Sequence, residues 1–188
     1  TRPLAAQYRP ARAEDLIGQE AIWSPQSALW KLVHGRRFHA LLFWGPPGTG
    51  KTSLARLIGK ILNTELVELS AVEAGVKDIR EAIERSRALI RTEGQGLILF
   101  LDEVHRLNKN QQDSLLPAVE AGDVRFIGAT TENPSFSVNN ALLSRSLTLA
   151  FRPVSPVILV GHLQKIAKQE GSEIADDLAQ ALADAADG

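Results

Sequence analysis

The sequence predicts an open α/β sheet of parallel strands covered by helices on both faces, followed by a purely helical segment. Three observations predict it. Five apolar runs of strand length, at 39–44, 65–69, 96–101, 124–129 and 147–151, alternate with amphipathic helical patterns. Most of these runs are apolar on both faces, as strands sandwiched between helices must be. After Phe151 the alternation stops; Pro153 and Pro156 lead into helical patterns only, at 157–169 and 174–186.

The elements follow in order. Behind the first run, Leu54, Leu57, Ile58, Ile61 and Leu62 hold the three-and-four spacing of one buried helix face. Val76, Ile79, Ile83 and Ile90 repeat that spacing in the second helix, whose outer face offers Glu81 and Arg85 as an i,i+4 ion pair. The third opens on a capping box of Asn108 and Gln111, turns Leu115, Leu116 and Val119 inward, and stops at Gly122. Pro117 lies inside it and predicts a kink, because proline has no N–H to donate. Strand–helix alternation of this kind implies right-handed crossovers and one α/β sheet domain over 1–152. Residues 153–188 are expected to begin a helical lid.

Composition narrows the function classes. With 188 residues, 44% hydrophobic and 23% charged, the chain can bury one sizeable core. A formal net charge of −1 gives no global attraction to nucleic acid, so any such surface must be local. The absence of Cys removes disulfides, thiol nucleophiles and cysteine zinc sites. No run reaches the roughly 20 apolar residues of a membrane span, so no membrane role is expected and a cytoplasmic location is, nucleoid-associated in a bacterium. The lack of any Met and an end inside a helical pattern suggest a piece of a longer protein.

Chemistry concentrates at Gly45-Pro46-Pro47-Gly48-Thr49-Gly50-Lys51-Thr52, with Ser53 next, which fits G-x-x-x-x-G-K-[ST] between a strand and a helix. Glycines let the backbone N–H groups turn inward around phosphates, and the helix N-terminus adds its positive end. Lys51 is expected to reach the β- and γ-phosphates of ATP, and the Thr52 hydroxyl to hold Mg²⁺. Asp102 and Glu103 follow an apolar run, at the strand tip where α/β sheets bind ligands. Asp102 suits Mg²⁺ ligation and Glu103 the orientation or deprotonation of the attacking water. His105 receives no role.

Three segments together carry a family resemblance: the phosphate loop, Leu99–Asp113 (LFLDEVHRLNKNQQD) and Phe126–Arg145 (FIGATTENPSFSVNNALLSR). They resemble the AAA+ ATPases, a branch of the P-loop NTPases, and within them the replication-associated recombination protein A group with its eukaryotic relative, the Werner-helicase-interacting protein. The resemblance runs from about Leu4 to the end, with 130–145 its most specific part. It implies an AAA+ five-stranded parallel sheet flanked by helices, then the start of an α-helical lid. It implies hydrolysis of ATP to ADP and phosphate, stimulated by DNA, in replication, recombination and repair at stalled forks, gaps or DNA ends. Thr130 matches sensor 1, a role Thr131 could also fill. Arg145 matches the arginine finger that enters a neighbouring subunit's site, implying a homo-oligomer. Ile17 and Gly18 match the segment that packs on adenine, and Ser70 the place that restrains the catalytic glutamate.

DNA contact is expected at the start of the second helix, at Lys77 and Arg80, with Arg87 and Arg91 near the same face. A single-stranded-DNA-binding protein is a further implied partner. The sensor 2 arginine would follow just beyond Asp187-Gly188, so the chain by itself is expected to hydrolyse ATP weakly. Two other readings share the loop and the finger: a clamp-loader or branch-migration subunit, and an ATP-gated DNA-binding switch. A protein-unfolding machine fits less well, because 71–75 (Ala-Val-Glu-Ala-Gly) lacks an aromatic pore residue.

Overall fold

The computed structural model describes residues 3–10, 12 and 15–186. Five parallel strands form one sheet: β1 (Ala40–Trp44), β2 (Leu66–Ser70), β3 (Ile98–Asp102), β4 (Arg125–Thr130) and β5 (Leu147–Ala150), in the order β2-β3-β4-β1-β5. Each expected run is a strand, displaced by no more than two residues. Period-two alternation splits the sheet's side chains between two cores. Leu41, Phe43, Ile98, Phe100 and Ile127 pack with the N-terminal segment and α3 (Lys51–Leu62). Leu42, Leu99, Leu101 and Phe126 pack on the other face against α4 (Val76–Glu93) and α5 (Lys109–Glu120). Runs apolar at every position are therefore explained by two covered faces. At Gly128 an added Cβ would lie 2.9 Å from Leu42 and Phe126 side-chain atoms, so this central strand needs a glycine there.

The helices show where local chemistry was enough and where it was not. The Asn108–Gln111 capping box forms in both directions, and Gly122 takes a left-handed φ of 73° just past α5. Pro117 neither ends nor breaks α5, which runs on to Glu120 and whose Ala121 N–H bonds the Pro117 carbonyl at 3.0 Å. The expected Glu81–Arg85 pair does not form. Arg85 reaches Glu65 at 2.8 Å and Glu81 faces Lys77 at 3.7 Å, because the strand-end carboxylate of Glu65 offers Arg85 a closer partner.

Short helices α1 (Leu4–Gln7) and α2 (Ala28–His34) precede the sheet, and α6 (Pro134–Ser137) and α7 (Asn140–Leu143) join β4 to β5. Asn133 and Asn139 cap the last two through the Ser135 and Leu142 N–H groups. Trp23 is buried and Trp30 packs against the same core. After β5, α8 (Pro156–Gln169) and α9 (Asp176–Ala186) pack as a helical pair in which Ala179 and Ala183 are buried. The Tyr8 hydroxyl donates to Glu170 Oε1 at 2.5 Å, tying the N-terminal segment to the end of α8. The outer limits of the two expected domains, at 1 and 188, lie outside the described residues.

Candidate functional site

The phosphate loop leaves β1 at the C-terminal edge of the sheet and enters α3 at Lys51. Gly45, Gly48 and Gly50 all have positive φ, at 153°, 79° and 97°. A Cβ at Gly45 would lie 2.4 Å from the Phe151 carbonyl oxygen, so backbone proximity as well as conformation requires glycine. The Gly45 N–H donates to the Thr130 carbonyl at 3.1 Å, which fixes the loop to the end of β4. Thr49 closes the turn by donating to the Pro46 carbonyl at 2.9 Å.

Lys51 is 8% exposed, and its ammonium donates to the Gly45 and Pro46 carbonyls at 2.7 and 2.6 Å. Burial lowers its pKa from the ordinary lysine value, and the charge of Asp102 partly opposes that shift. Only the protonated form attracts phosphate. Nucleotide affinity should therefore fall as pH rises through the lowered Lys51 pKa, in a range where an ordinary lysine would still be charged. Nucleotide titrations across alkaline pH check this, and Lys51→Ala should abolish that limb along with most of the affinity.

Asp102 is the last residue of β3, and its Oδ1 accepts the Glu103 N–H at 2.9 Å. Glu103 takes the left-handed φ of 53°, a costly conformation for a non-glycine residue that persists only where the surroundings impose it. Both carboxylates line a pocket of about 440 Å³ together with Gly48, Gly50, Lys51, Thr52 and Ser53. Pro47 borders it too, whereas Gly45, Pro46 and Thr49 shape the loop from behind.

Thr130 and Thr131 part company here. Thr130 is 1% exposed; its hydroxyl oxygen accepts the Glu132 N–H at 3.0 Å and lies 3.0 Å from His105 Nδ1. The neighbour Thr131 is exposed and lines the pocket with Glu103. Thr130 thus braces the turn after β4, and Thr131 is the threonine that lines the pocket. His105 belongs to this brace: it is 6% exposed, with Glu132 Oε1 3.8 Å from its Nε2. No local signal in the sequence marks His105, because its partner is a threonine 25 residues away.

Arg9 also lines the pocket, brought there by an N-terminal segment with no motif of its own. Ile17 and Gly18 do not line it. Gly18 stands against Val154, 3.1 Å from an ideal Cβ, and Gln19 binds the Arg152 backbone through both amide atoms, at 2.7 and 3.3 Å. This segment joins the chain after β5 to the loop, since a Cβ at Gly50 would meet Leu16 Cδ1 at 2.9 Å. Ser70 pairs with Asp102 in the sheet, and its hydroxyl accepts the Val72 N–H at 3.4 Å rather than reaching Glu103.

Arg145 follows α7 on the opposite edge of the sheet. It forms an ion pair with Glu120 at 2.5 Å and donates to the Ala141 carbonyl at 2.9 Å, close to His39 at the entrance to β1. The phosphate loop leaves the other end of β1, about 15 Å away at roughly 3.3 Å per strand residue. Arg145 cannot serve its own pocket from there.

At the start of α4, Lys77 is 87% exposed and 3.7 Å from Glu81, while Arg80 is exposed and makes no ion pair with the described residues. Arg87 is taken from the expected basic face by Asp123, at 2.7 Å, and by Glu84, at 2.6 Å. The charge left for an anionic partner is local and modest.

The residues fit ATP and Mg²⁺. Among the described residues no cluster of three His, Cys, Asp or Glu could cage a metal. Mg²⁺ in phosphate sites needs none, because it keeps waters and phosphate oxygens and takes one or two protein ligands. Thr52 and Asp102, both on the pocket wall, would be those two.

The model of the ATPase family associated with various cellular activities (AAA) matches residues 41–154. Replication-associated recombination protein A of Escherichia coli K12 is 49% identical over 154 residues, 82% of this chain and 34% of that protein. ATPase WRNIP1 of Dictyostelium discoideum is 48% identical over 143 residues, 76% of this chain and 16% of that protein. The chain spans about a third of the length of the replication-associated recombination proteins it matches. Among solved structures, the RuvB Holliday junction branch migration motor of Thermotoga maritima superposes with a TM-score of 0.74 at 30% identity, over 94% of this chain and 59% of that one.

Proposed function

We propose that this chain, which belongs to the AAA family of ATPases, binds ATP with Mg²⁺ and hydrolyses it in a DNA-dependent manner during replication, recombination and repair. The observation that carries the reading is the convergence of Lys51, Thr52, Asp102, Glu103 and Thr131 on one pocket.

Each residue has a task set by its place. Lys51 and the loop N–H groups hold the β- and γ-phosphates. Thr52 and Asp102 hold Mg²⁺, which neutralises charge on the phosphate oxygens. Glu103 orients a water against the γ-phosphorus and accepts its proton as the new P–O bond forms and the bond to the bridging oxygen breaks. Thr131 steadies the γ-phosphate or that water, and Thr130 with His105 holds Thr131 in place. Arg9 adds a cation at the mouth. Arg145 supplies the remaining charge to the site of an adjacent copy.

The brace gives a direct test. His105→Ala should lower kcat about tenfold, the cost of roughly one good hydrogen bond, and leave nucleotide affinity nearly unchanged. His105→Asn, which can still meet the Thr130 hydroxyl, should recover much of the loss. Equal kcat in all three proteins would remove His105 from the account.

DNA dependence rests on the likeness to replication-associated recombination protein A and on Lys77 and Arg80 at the head of α4. Stalled forks, single-stranded gaps and DNA ends are the proposed sites of action, with a single-stranded-DNA-binding protein as a candidate partner. ATP turnover titrated with single-stranded, blunt duplex and forked DNA tests it. Stimulation by at least one, reduced in Lys77→Ala/Arg80→Ala, is expected; no stimulation by any of them rejects DNA dependence and leaves the ATPase reading standing. The likeness to a branch migration motor favours a second reading, in which turnover moves DNA strands, and forked DNA would then be remodelled and not merely bound.

A further inference from the structure

We propose that the base of the sheet carries a second anion site, a pocket between Arg36 and Arg125 built to hold a phosphate group. The pocket has a volume of about 340 Å³ and is bordered by Arg36, His39, Gln95, Gly96, Leu97 and Arg125 among others. It lies where the chain enters β1, β3 and β4, so the length of the strands separates it from the phosphate loop.

Its two guanidinium groups are held differently. Arg36 has a left-handed backbone, φ 53°, and its Nη1 donates to Gln95 Oε1 at 2.8 Å. The Gln95 amide in turn donates to the Asn63 carbonyl at 3.2 Å and to the Thr64 hydroxyl, so Arg36 is anchored to the end of α3. Arg125, the first residue of β4, is partly buried and has no side-chain hydrogen bond or ion pair with the described residues. Burial and the nearby Arg36 charge both lower its pKa.

No carboxylate borders the pocket. Asp123, next but one to Arg125, is engaged by Arg87, and Glu120 by Arg145. Glu93 is exposed at the end of α4, outside the lining. A partly buried cation, Arg125, beside a second cation, the exposed Arg36, and without a counter-charge is unfavourable, and an oxyanion between them reverses the sign. Guanidinium forks match the paired oxygens of phosphate. The phosphate can belong to a free anion or to a nucleic-acid backbone; the chemistry is shared, and the test separates the two.

The experiment uses the purified protein carrying Lys51→Ala, so that the phosphate loop contributes little. Inorganic phosphate should still bind and raise the unfolding temperature in a saturable way. Adding Arg125→Met should weaken phosphate binding at least about tenfold and, without phosphate, raise the unfolding temperature, since an uncompensated charge is gone. Arg36→Gln, on the exposed side, should weaken binding in the same direction and serves where Arg125→Met does not fold. If Arg125→Met also lowers the slope of log affinity for duplex DNA against log salt by about one, the phosphate is DNA's; an unchanged slope assigns the site to a free anion. Absent phosphate binding in Lys51→Ala, unaltered binding in both arginine variants, or acetate bound as tightly as phosphate would overturn the proposal.

Discussion

Replacing Arg145 by Ala is expected to lower ATP turnover of the assembled protein by about 10³–10⁵, the range an arginine finger contributes to phosphoryl transfer. Nucleotide binding should change little, because Arg145 lies on the opposite edge of the sheet from its own phosphate loop, paired with Glu120. To act on a neighbour it must exchange that carboxylate for a phosphate, and the Glu120 ion pair is exposed enough to be weak. Glu120→Gln should therefore leave kcat within a few-fold of the parent. Single-turnover hydrolysis and nucleotide binding, measured on the same preparations, separate the two effects. The conservative change Arg145→Lys should recover little, since a point charge lacks the planar fork.

Glu103→Gln is the second large effect. The change keeps size and hydrogen-bonding shape and removes only the base. ATP affinity should stay within a few-fold, while kcat falls by about 10²–10⁴. The left-handed backbone at residue 103 adds a control: Glu103→Gly should relieve backbone strain and raise stability, yet turn over no faster than Glu103→Gln. If ATP-bound Glu103→Gln also stays on DNA longer than the parent, hydrolysis terminates the bound state. An unchanged residence time would favour nucleotide as a switch that hydrolysis merely resets.

Much of this architecture is legible in the sequence, for a physical reason. Strands buried on both faces have almost no polar positions, so Leu41–Phe43 and Ile98–Leu101 stand out without any alignment. The loop is equally plain, because an inward-turned backbone demands glycine at Gly45, Gly48 and Gly50. The short helices α6 and α7 are not legible: a single turn has no periodicity to detect, and only the Asn133 and Asn139 caps mark them. Ion-pair partners are also out of reach. Glu81 and Arg85 have helix spacing, but the choice of Glu65 depends on where β2 begins relative to α4.

The site shows the same boundary between local and tertiary information. Lys51, Thr52, Asp102 and Glu103 are fixed by elements that end where they stand. Whether Thr130 or Thr131 faces the pocket depends on which one His105 and the Glu132 N–H hold inside, a contact from another element. Arg9 carries no local signal at all; it reaches the pocket because the N-terminal segment folds back over the loop. Gly18 matches an adenine-contacting segment by sequence, and its closeness to Val154 after β5 is a tertiary contact that no local pattern announces.

The central claim is that one copy binds ATP and a second copy completes the site. It is tested most directly by mixing two inactive proteins, Glu103→Gln and Arg145→Ala. Turnover should return on mixing, in proportion to the interfaces that join an intact Glu103 to an intact Arg145. If the two variants assemble together and turnover stays at the level of either alone, Arg145 does not act between copies.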